Sequence, residues 1–433
     1  MKIFSKIPDY LLVAAAGWLA RAITAVAQLL SLRLLISFLD IDEYAAYSIL
    51  ISATGWFLMA DMGSGSALQN QISIHRANQI GWRLQYIFAI KVVSISGLIV
   101  VVIATIFSQK IESSLLSNII GGETLQAGYL FLIVAVTGVL QSIGSLQYRI
   151  WYGQHKGYYA NIAPAVASII SLSGLYLTTN INFIAVNKLA VALIIYTLPQ
   201  AVIPLVSLYS NRAYFVNTFK EEAENNYKKK FIKKSLEFFY FGLLASATLQ
   251  IEYFVMSQTT TPEEIAEYSI VAKLFGLVFF IYNAILMAAW PVCSEALAKR
   301  DRQKVISFIK RMLPVGFVIL AVFATLVTLF KNEIVHIFSL NSSIKITDGV
   351  IVAATIYFFV RIWTDTFAML LQSAGNLKTF FYAVPLQAIL TFIFQNYLSS
   401  EYGAAGVFNA LTLGFLLTVS WILPARFMTS NQK

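Results

Sequence analysis

Ser94-Ile95-Ser96-Gly97-Leu98-Ile99-Val100-Val101-Val102-Ile103-Ala104-Thr105-Ile106-Phe107 is the run that decides the fold class. It carries no charge, and its apolar side chains point in nearly every direction around the chain axis. A strand of a membrane barrel would alternate apolar and polar residues at every second position. Residues 351–360 depart from that alternation in the same way. Inside lipid no water is present to satisfy the backbone, so the helix is the conformation left to such a run. The chain is therefore predicted to be an all-α integral membrane protein.

The rest of the sequence agrees with that run. Hydrophobic residues make up 58% of the chain and charged residues 12%, with a mean hydropathy of +0.72. A soluble domain carries about 25% charged residues. A hydrocarbon core ~30 Å thick needs roughly 20 helical residues. Runs of that order recur at 11–38, 44–68, 84–107, 125–147, 158–178 and 187–209. Six more follow at 238–257, 265–289, 311–330, 350–372, 380–396 and 406–425. Twelve transmembrane helices result, with both termini on one side. The first run follows Lys2 and Lys6 without a small-residue cleavage site, and reads as a retained helix rather than a signal peptide.

The formal net charge is +10. Of the 31 Lys and Arg residues, 22 fall on the side of the termini, four on the opposite side and five within the spans. The positive-inside rule then places both termini in the cytoplasm. The basic excess is a topology signal, and no nucleic-acid partner is expected.

The longest polar stretch, 211–234, contains Lys228-Lys229-Lys230 and Lys233-Lys234. It suggests an N-terminal six-helix lobe at 1–210, a basic cytoplasmic linker at 211–237 and a C-terminal six-helix lobe at 238–433. Anionic headgroups would attract such a linker by about 1 kcal/mol per Lys. The two lobes are related in sequence. Glu43-Tyr44-Ala45-Ala46-Tyr47-Ser48-Ile49-Leu50 and Glu264-Ile265-Ala266-Glu267-Tyr268-Ser269-Ile270-Val271 agree at five of eight positions, 221 residues apart. Repeated lobes of six spans run parallel and leave a central cavity at their interface, as in many transporters.

Ionisable residues within a span cost about 2.5–3.5 kcal/mol at its centre, so each is a functional candidate. Arg21, Thr24, Gln28 and Ser31 share one face of the first span. They line either a water-filled lumen or a hydrogen-bonded helix contact, and the cost of the charge favours the lumen. Arg33 stands about 120° round from Arg21 and can snorkel towards Asp40 or Asp42. In the tenth span Tyr357, Arg361, Thr364, Asp365 and Gln372 share a face. Arg361 and Asp365 are spaced to form a private ion pair, or Arg361 meets substrate. Lys273 is a further lumen candidate, while Lys91 is near enough to the cytoplasmic face to snorkel. Asp61, Glu252 and Asp365 are the acids that could couple an ion. With Arg21, Arg33, Lys91, Lys273 and Arg361 against so few acids, the interior suits an anion such as a diphosphate, which Arg can fork through two hydrogen bonds.

Catalytic and cofactor signals are missing. His75, His155 and His336 lie on loops of opposite sides and cannot converge on a metal. Cys293 has no cysteine to pair with. Gly63-Ser64-Gly65-Ser66 lacks the ending of a phosphate-binding loop and suits close packing instead. The loops are too short for a catalytic domain. No enzyme activity, metal or cofactor is expected.

Several segments resemble one family. They are Leu39-Asp40-Ile41-Asp42-Glu43-Tyr44-Ala45-Ala46-Tyr47, Asp61-Met62-Gly63-Ser64-Gly65-Ser66-Ala67-Leu68 and Gln250-Ile251-Glu252-Tyr253-Phe254-Val255. The most telling is Ala289-Trp290-Pro291-Val292-Cys293-Ser294-Glu295-Ala296. Across essentially the whole chain the sequence resembles the Wzx-type O-antigen flippases, polysaccharide transporters of the MATE-like exporter superfamily. Family members often have Asp where Glu252 stands and Gly where Ala45 stands. The resemblance implies a MATE-like fold of two lobes and movement of an undecaprenyl-diphosphate-linked oligosaccharide from the cytoplasmic to the periplasmic leaflet by alternating access. It implies membrane lipid as surroundings and an O-antigen polymerase and chain-length regulator as protein partners. An ion-coupled MATE-type antiporter of drugs or metabolites is the alternative of the same fold.

Overall fold

A computed structural model describes residues 9–77, 81–120, 128–154, 156–180, 187–210, 227–249, 251–299, 301–338, 344–374, 376 and 378–430. Most of the expected linker, 211–226, and His155 lie outside the described residues. Among those described, the regular elements are all helical. The chain divides into two compact units, 1–246 and 247–433.

In the first unit α1 (Asp9–Phe38) packs along α6 (Gly157–Asn180). The central helix is α5 (Tyr129–Gly153), which meets α2 (Ile41–Leu58), α3 (Ser64–Ala77), α4 (Arg83–Leu116) and α7 (Lys188–Ser210). Lipid supplies no hydrophobic drive between helices, so close approach over small residues holds them together. Gly144 shows how: a Cβ there would stand 2.8 Å from the Leu205 nitrogen on α7. The unit ends in α8 (Tyr227–Leu249), whose first turns carry Lys228-Lys229-Lys230 and Lys233-Lys234. Those lysines are helical rather than part of a loop. Phe231 and Phe238 of α8 join the core formed by Leu68, Ile72, Trp82, Tyr86, Leu146 and Ile150.

The second expected span is broken. Its helix passes through a short 3-10 turn at Met59–Asp61, and Met62 and Gly63 both adopt positive φ, +46° and +71°. The two halves meet at 51°. Gly63 cannot be replaced, because a Cβ there would collide with the Ser235 carbonyl of α8. The glycines read from sequence as close-packing residues do pack closely, but at a bend.

The second unit comprises α9 (Glu252–Thr259), α10 (Pro262–Ala298), α11 (Arg302–Leu329), α12 (Lys331–Phe338), α13 (Asp348–Ser373), α14 (Phe380–Leu417) and α15 (Val419–Ser430). Here α13 is central, against α10, α11, α14 and α15. The first unit's α1–α6 and α4–α5 pairs have counterparts in α9–α14 and α11–α13. The sequence repeat has the same physical cause in both units. Asp40 N–H donates to Glu43 Oε2 at 3.4 Å at the start of α2, and Thr261 N–H to Glu264 Oε2 at 3.0 Å at the start of α10. Each Glu reaches back to an otherwise unpaired N–H of its helix start. Tyr47 and Tyr268, also 221 positions apart, are both buried, packing on Tyr196 and Phe408.

Nine described helices are long and apolar enough to cross a membrane, or ten if the bent pair is one span. The chain is a multi-pass membrane protein. One of the nine, Phe380–Thr429, has 50 residues, about 75 Å if straight. It is not straight. Gly403 has φ +54° and ψ −134°, and a Cβ on Gly406 or Gly414 would collide with the Leu398 carbonyl or the Thr391 side chain. Leu398 and Gly406 would be about 12 Å apart along one continuous helix. The stretch therefore folds back on itself as a hairpin of two crossings. The expected span at 238–257 straddles the end of α8 and α9.

Candidate functional site

In the second unit, α13 projects Tyr357, Arg361 and Asp365 from one face, each a turn from the next. An Arg361 terminal nitrogen donates to Tyr357 Oη at 2.9 Å. Its Nε lies 3.6 Å from Asp365 Oδ2. That is an ion pair, but too long for a hydrogen bond, and Nε has no hydrogen-bond partner among the described residues. The guanidinium lies 4.5 Å from the centre of the Phe279 ring of α10, a cation–π contact. The Arg361 side chain retains 22% exposure. It is thus partly neutralised and still presented.

Glu252 opens α9 and feels the charge of Arg361. It is buried, and its Oε2 has no partner among the described residues. Arg361 therefore stands among two carboxylates, Glu252 and Asp365, with Tyr268 and Tyr357 beside them. Lys273 is half-buried on α10, about 140° round that helix from Tyr268 at 100° per residue. A second polar feature went unread in the sequence, although its spacing of four is visible there. Gln387, Thr391, Gln395 and Ser399 of α14 are all buried. Ser399 meets Thr259 of α9 at 2.7 Å. Thr391 Oγ1 and both amide atoms of Gln395 lack hydrogen-bond partners among the described residues. Such orphaned groups cost about 1–3 kcal/mol each.

In the first unit Asp61 sits in the break of the second span. Its carboxylate accepts the N–H groups of Gly63 at 2.8 Å and Gly65 at 3.2 Å. It thereby caps the start of α3, with Arg149 of α5 alongside. Arg149 also donates to Gln69 Oε1 at 3.4 Å. Arg21 is half-buried on the face of α1 that packs against α6, near Tyr152 of α5. Of its stripe, Ser31 is buried and Gln28 exposed. Arg33 lies instead on the exposed face of α1 with Leu19, Val26 and Leu30. Lys91 shares the exposed face of α4 with Ile95, Leu98 and Val102. The first unit thus gathers Arg21, Asp61 and Arg149, the second gathers Glu252, Arg361 and Asp365, and Arg33 and Lys91 stand apart. Among the described residues no group of His, Cys, Asp and Glu is placed to hold a metal.

Residues 14–297 match the family model described as polysaccharide biosynthesis protein. The chain belongs to the polysaccharide biosynthesis protein family. Residues 241–398 also match the MatE model. A Yersinia pseudotuberculosis protein named putative O-antigen export protein is 32% identical, over 98% of this chain and 97% of its own. A Salmonella typhi protein named putative O-antigen transporter is 31% identical, over 99% and 98%. The resemblance drawn from the sequence is borne out. Among solved structures, an inward-facing multidrug resistance MATE family transporter superposes with TM-score 0.75 at 14% identity, covering 97% of this chain and 99% of that one. The lipid II flippase MurJ in an inward closed conformation gives 0.72 at 14%, covering 96% and 87%. These likenesses show the fold, which is that of MATE-like transporters.

Proposed function

We propose that this family member is a flippase rather than an enzyme. It carries an undecaprenyl-diphosphate-linked oligosaccharide, the O-antigen repeat unit, from the cytoplasmic to the periplasmic leaflet of the inner membrane by alternating access. Arg361 carries the reading. A guanidinium held part-way along a membrane helix, whose Nε makes only a loose 3.6 Å ion pair and no hydrogen bond among the described residues, is ready to trade one anion for another. Arg suits a diphosphate, whose oxygens it forks through two hydrogen bonds. Arg21 plays the same part in the first unit, with Lys273 as an auxiliary cation. Relatives named for O-antigen export and transport support the cargo. Solved neighbours of this fold in inward-facing and outward-facing forms support the mechanism. The distribution of Lys and Arg supports twelve crossings with cytoplasmic termini. A polymerase and a chain-length regulator of the same polysaccharide are the protein partners that fit such a role.

The test is Arg361→Ala in cells whose surface polysaccharide depends on this chain. Polysaccharide should disappear from the surface while lipid-linked units accumulate on the cytoplasmic face and the protein stays in the membrane. Normal polysaccharide at native expression, from this variant and from Arg21→Ala, rejects the reading. One observation favours an ion-coupled antiporter: the buried, unpartnered Glu252 Oε2 inside the region matching the MatE model. A deletion strain sensitive to drugs but with intact polysaccharide would select that function.

A further inference from the structure

Around Arg21 the first unit holds polar and aromatic groups that phosphate binding alone does not use. On α5, Tyr152 follows Arg149 by three residues, and both point to the same side. Tyr152 Oη donates to Asn161 Oδ1 of α6 at 2.8 Å. The Asn161 amide nitrogen lies 3.1 Å from the place a Cβ on Gly17 would take. Gly17 is what lets this amide reach in against α1. One turn along α1 from Gly17 stands Arg21, and Arg21 and Arg149 both act electrostatically on Tyr152. Behind these groups the aromatics are packed: Trp151 is 5.4 Å from Tyr159 and 6.0 Å from Tyr148, and Tyr158 is 4.3 Å from Tyr159. Tyr152 and Tyr159 nevertheless keep 38% and 47% of their surface exposed.

An interfacial aromatic belt explains tyrosines at this depth. It does not explain a phenol tied to an amide from another helix within the field of two guanidinium groups. A flat ring face and an amide with both donor and acceptor are what a pyranose needs, and the neighbouring cations suit the anion attached to it. The sugar's C–H face stacks on the ring, and its hydroxyl groups take the polar partners.

We propose that Tyr152 and Asn161, flanked by Arg21 and Arg149, form a saccharide subsite that takes the sugar next to the diphosphate. The cargo's identity rests on the flippase reading; the chemistry of the subsite does not. Arg21 lies beside Tyr152, so an anion on Arg21 places its attached sugar on the phenol. Tyr152 aligns Asn161 through its hydroxyl, and Trp151 and Tyr148 hold the platform from behind.

Trp151 is a built-in reporter for the test. The purified full chain in nanodiscs is titrated with three probes: free oligosaccharide released from the cell's own lipid-linked units, undecaprenyl diphosphate, and the intact glycolipid. Tryptophan fluorescence is read against a Trp151→Phe control. Free oligosaccharide should bind the wild type. Tyr152→Phe and Asn161→Ala should each weaken that binding about five- to tenfold while undecaprenyl diphosphate binds as before, which also shows that the variants are folded. Arg21→Ala should weaken both lipids. Failure of free oligosaccharide to bind the wild type overturns the subsite, as does an equal loss of sugar and undecaprenyl diphosphate in the two variants. If neither lipid binds the wild type, the flippase reading falls, and the subsite is judged on the free sugar alone.

Discussion

Glu43 and Glu264 stand 221 residues apart at the third position of α2 and α10, and each bends back to accept the N–H at its own helix start, from Asp40 and Thr261. Glu264 has a second role: its carboxylate lies where a Cβ on Gly403 would be, over the turn of the α14 hairpin. Removing a cap of this kind costs about 1 kcal/mol. Glu43→Ala should therefore lower thermal stability slightly, and Glu264→Ala more, since the turn loses a neighbour as well. The two losses should add, as the residues share no partner. Thermal unfolding of the purified variants measures this. An unchanged transition in both would reduce the repeat to a relic without structural effect.

Gly406 should tolerate no side chain. Its α-carbon faces the Leu398 carbonyl across the hairpin, a rigid backbone atom that cannot swing away. Gly406→Ala is expected to cost at least the ~1–3 kcal/mol typical of overpacking and to reduce the amount of folded protein recovered from membranes. Gly349 meets no atom within 4 Å of a Cβ, so Gly349→Ala is the matched control. Equal yield and stability of the two variants would show that the chain does not turn back tightly there.

Apolar runs placed the helices at 11–38, 158–178, 187–209 and 350–372 to within two residues at each end, because a span's length is set by the bilayer rather than by its neighbours. In contrast, α4, α10 and α11 each run about nine residues past the expected span at one end. The break at Met62-Gly63 was not legible, since it depends on the backbone of α8 packed against it, whereas the turn at Gly403 falls in the gap left between the runs at 380–396 and 406–425. Among candidate site residues, i, i+4 spacing anticipated the Arg361–Asp365 pair. The Phe279 ring under Arg361 comes from another helix, and no spacing on α13 reveals it. Charge inside a span marked Arg33 and Lys91 as candidates behind Arg21, with snorkelling open to both. Their orientation, on exposed apolar faces, follows from which side of α1 and α4 meets a neighbour, which hydropathy does not encode.

The Arg361 cluster predicts a separation of stability from export. Arg361→Ala strands Asp365 and Glu252 without their cation, and breaking a buried pair costs up to about 3–5 kcal/mol; with 22% and 33% of the pair's side chains exposed, solvent screening should bring the loss well below that. Arg361→Leu combined with Asp365→Leu removes both charges of the pair and should recover part of the stability, Glu252 remaining without its cation. It should not recover export, because no guanidinium remains for the cargo. Arg361→Lys keeps the charge and gives up the fork, and should export weakly at near-normal stability. Unfolding temperature and surface polysaccharide are read on the same set. Export by the double variant at the wild-type level would sink the cargo-binding role of Arg361.

Asp61 offers the sharpest choice between structural and ion-coupling roles. Its two oxygens hold the N–H groups of Gly63 and Gly65 where the second span breaks, which is the task of a helix cap. Asn keeps one acceptor oxygen and so one of the two bonds, whereas Ala keeps neither, at a cost of about 1 kcal/mol. A capping Asp61 therefore predicts near-normal export for Asp61→Asn and impaired folding for Asp61→Ala, with Arg149 losing its neighbouring charge in both. An acid that binds and releases a proton or sodium ion would predict the reverse for Asn: a folded protein that no longer transports. Export assays on the two variants, each normalised to protein in the membrane, decide the matter, and a silent but stable Asp61→Asn would move Asp61 from the architecture of the bend to the machinery of transport.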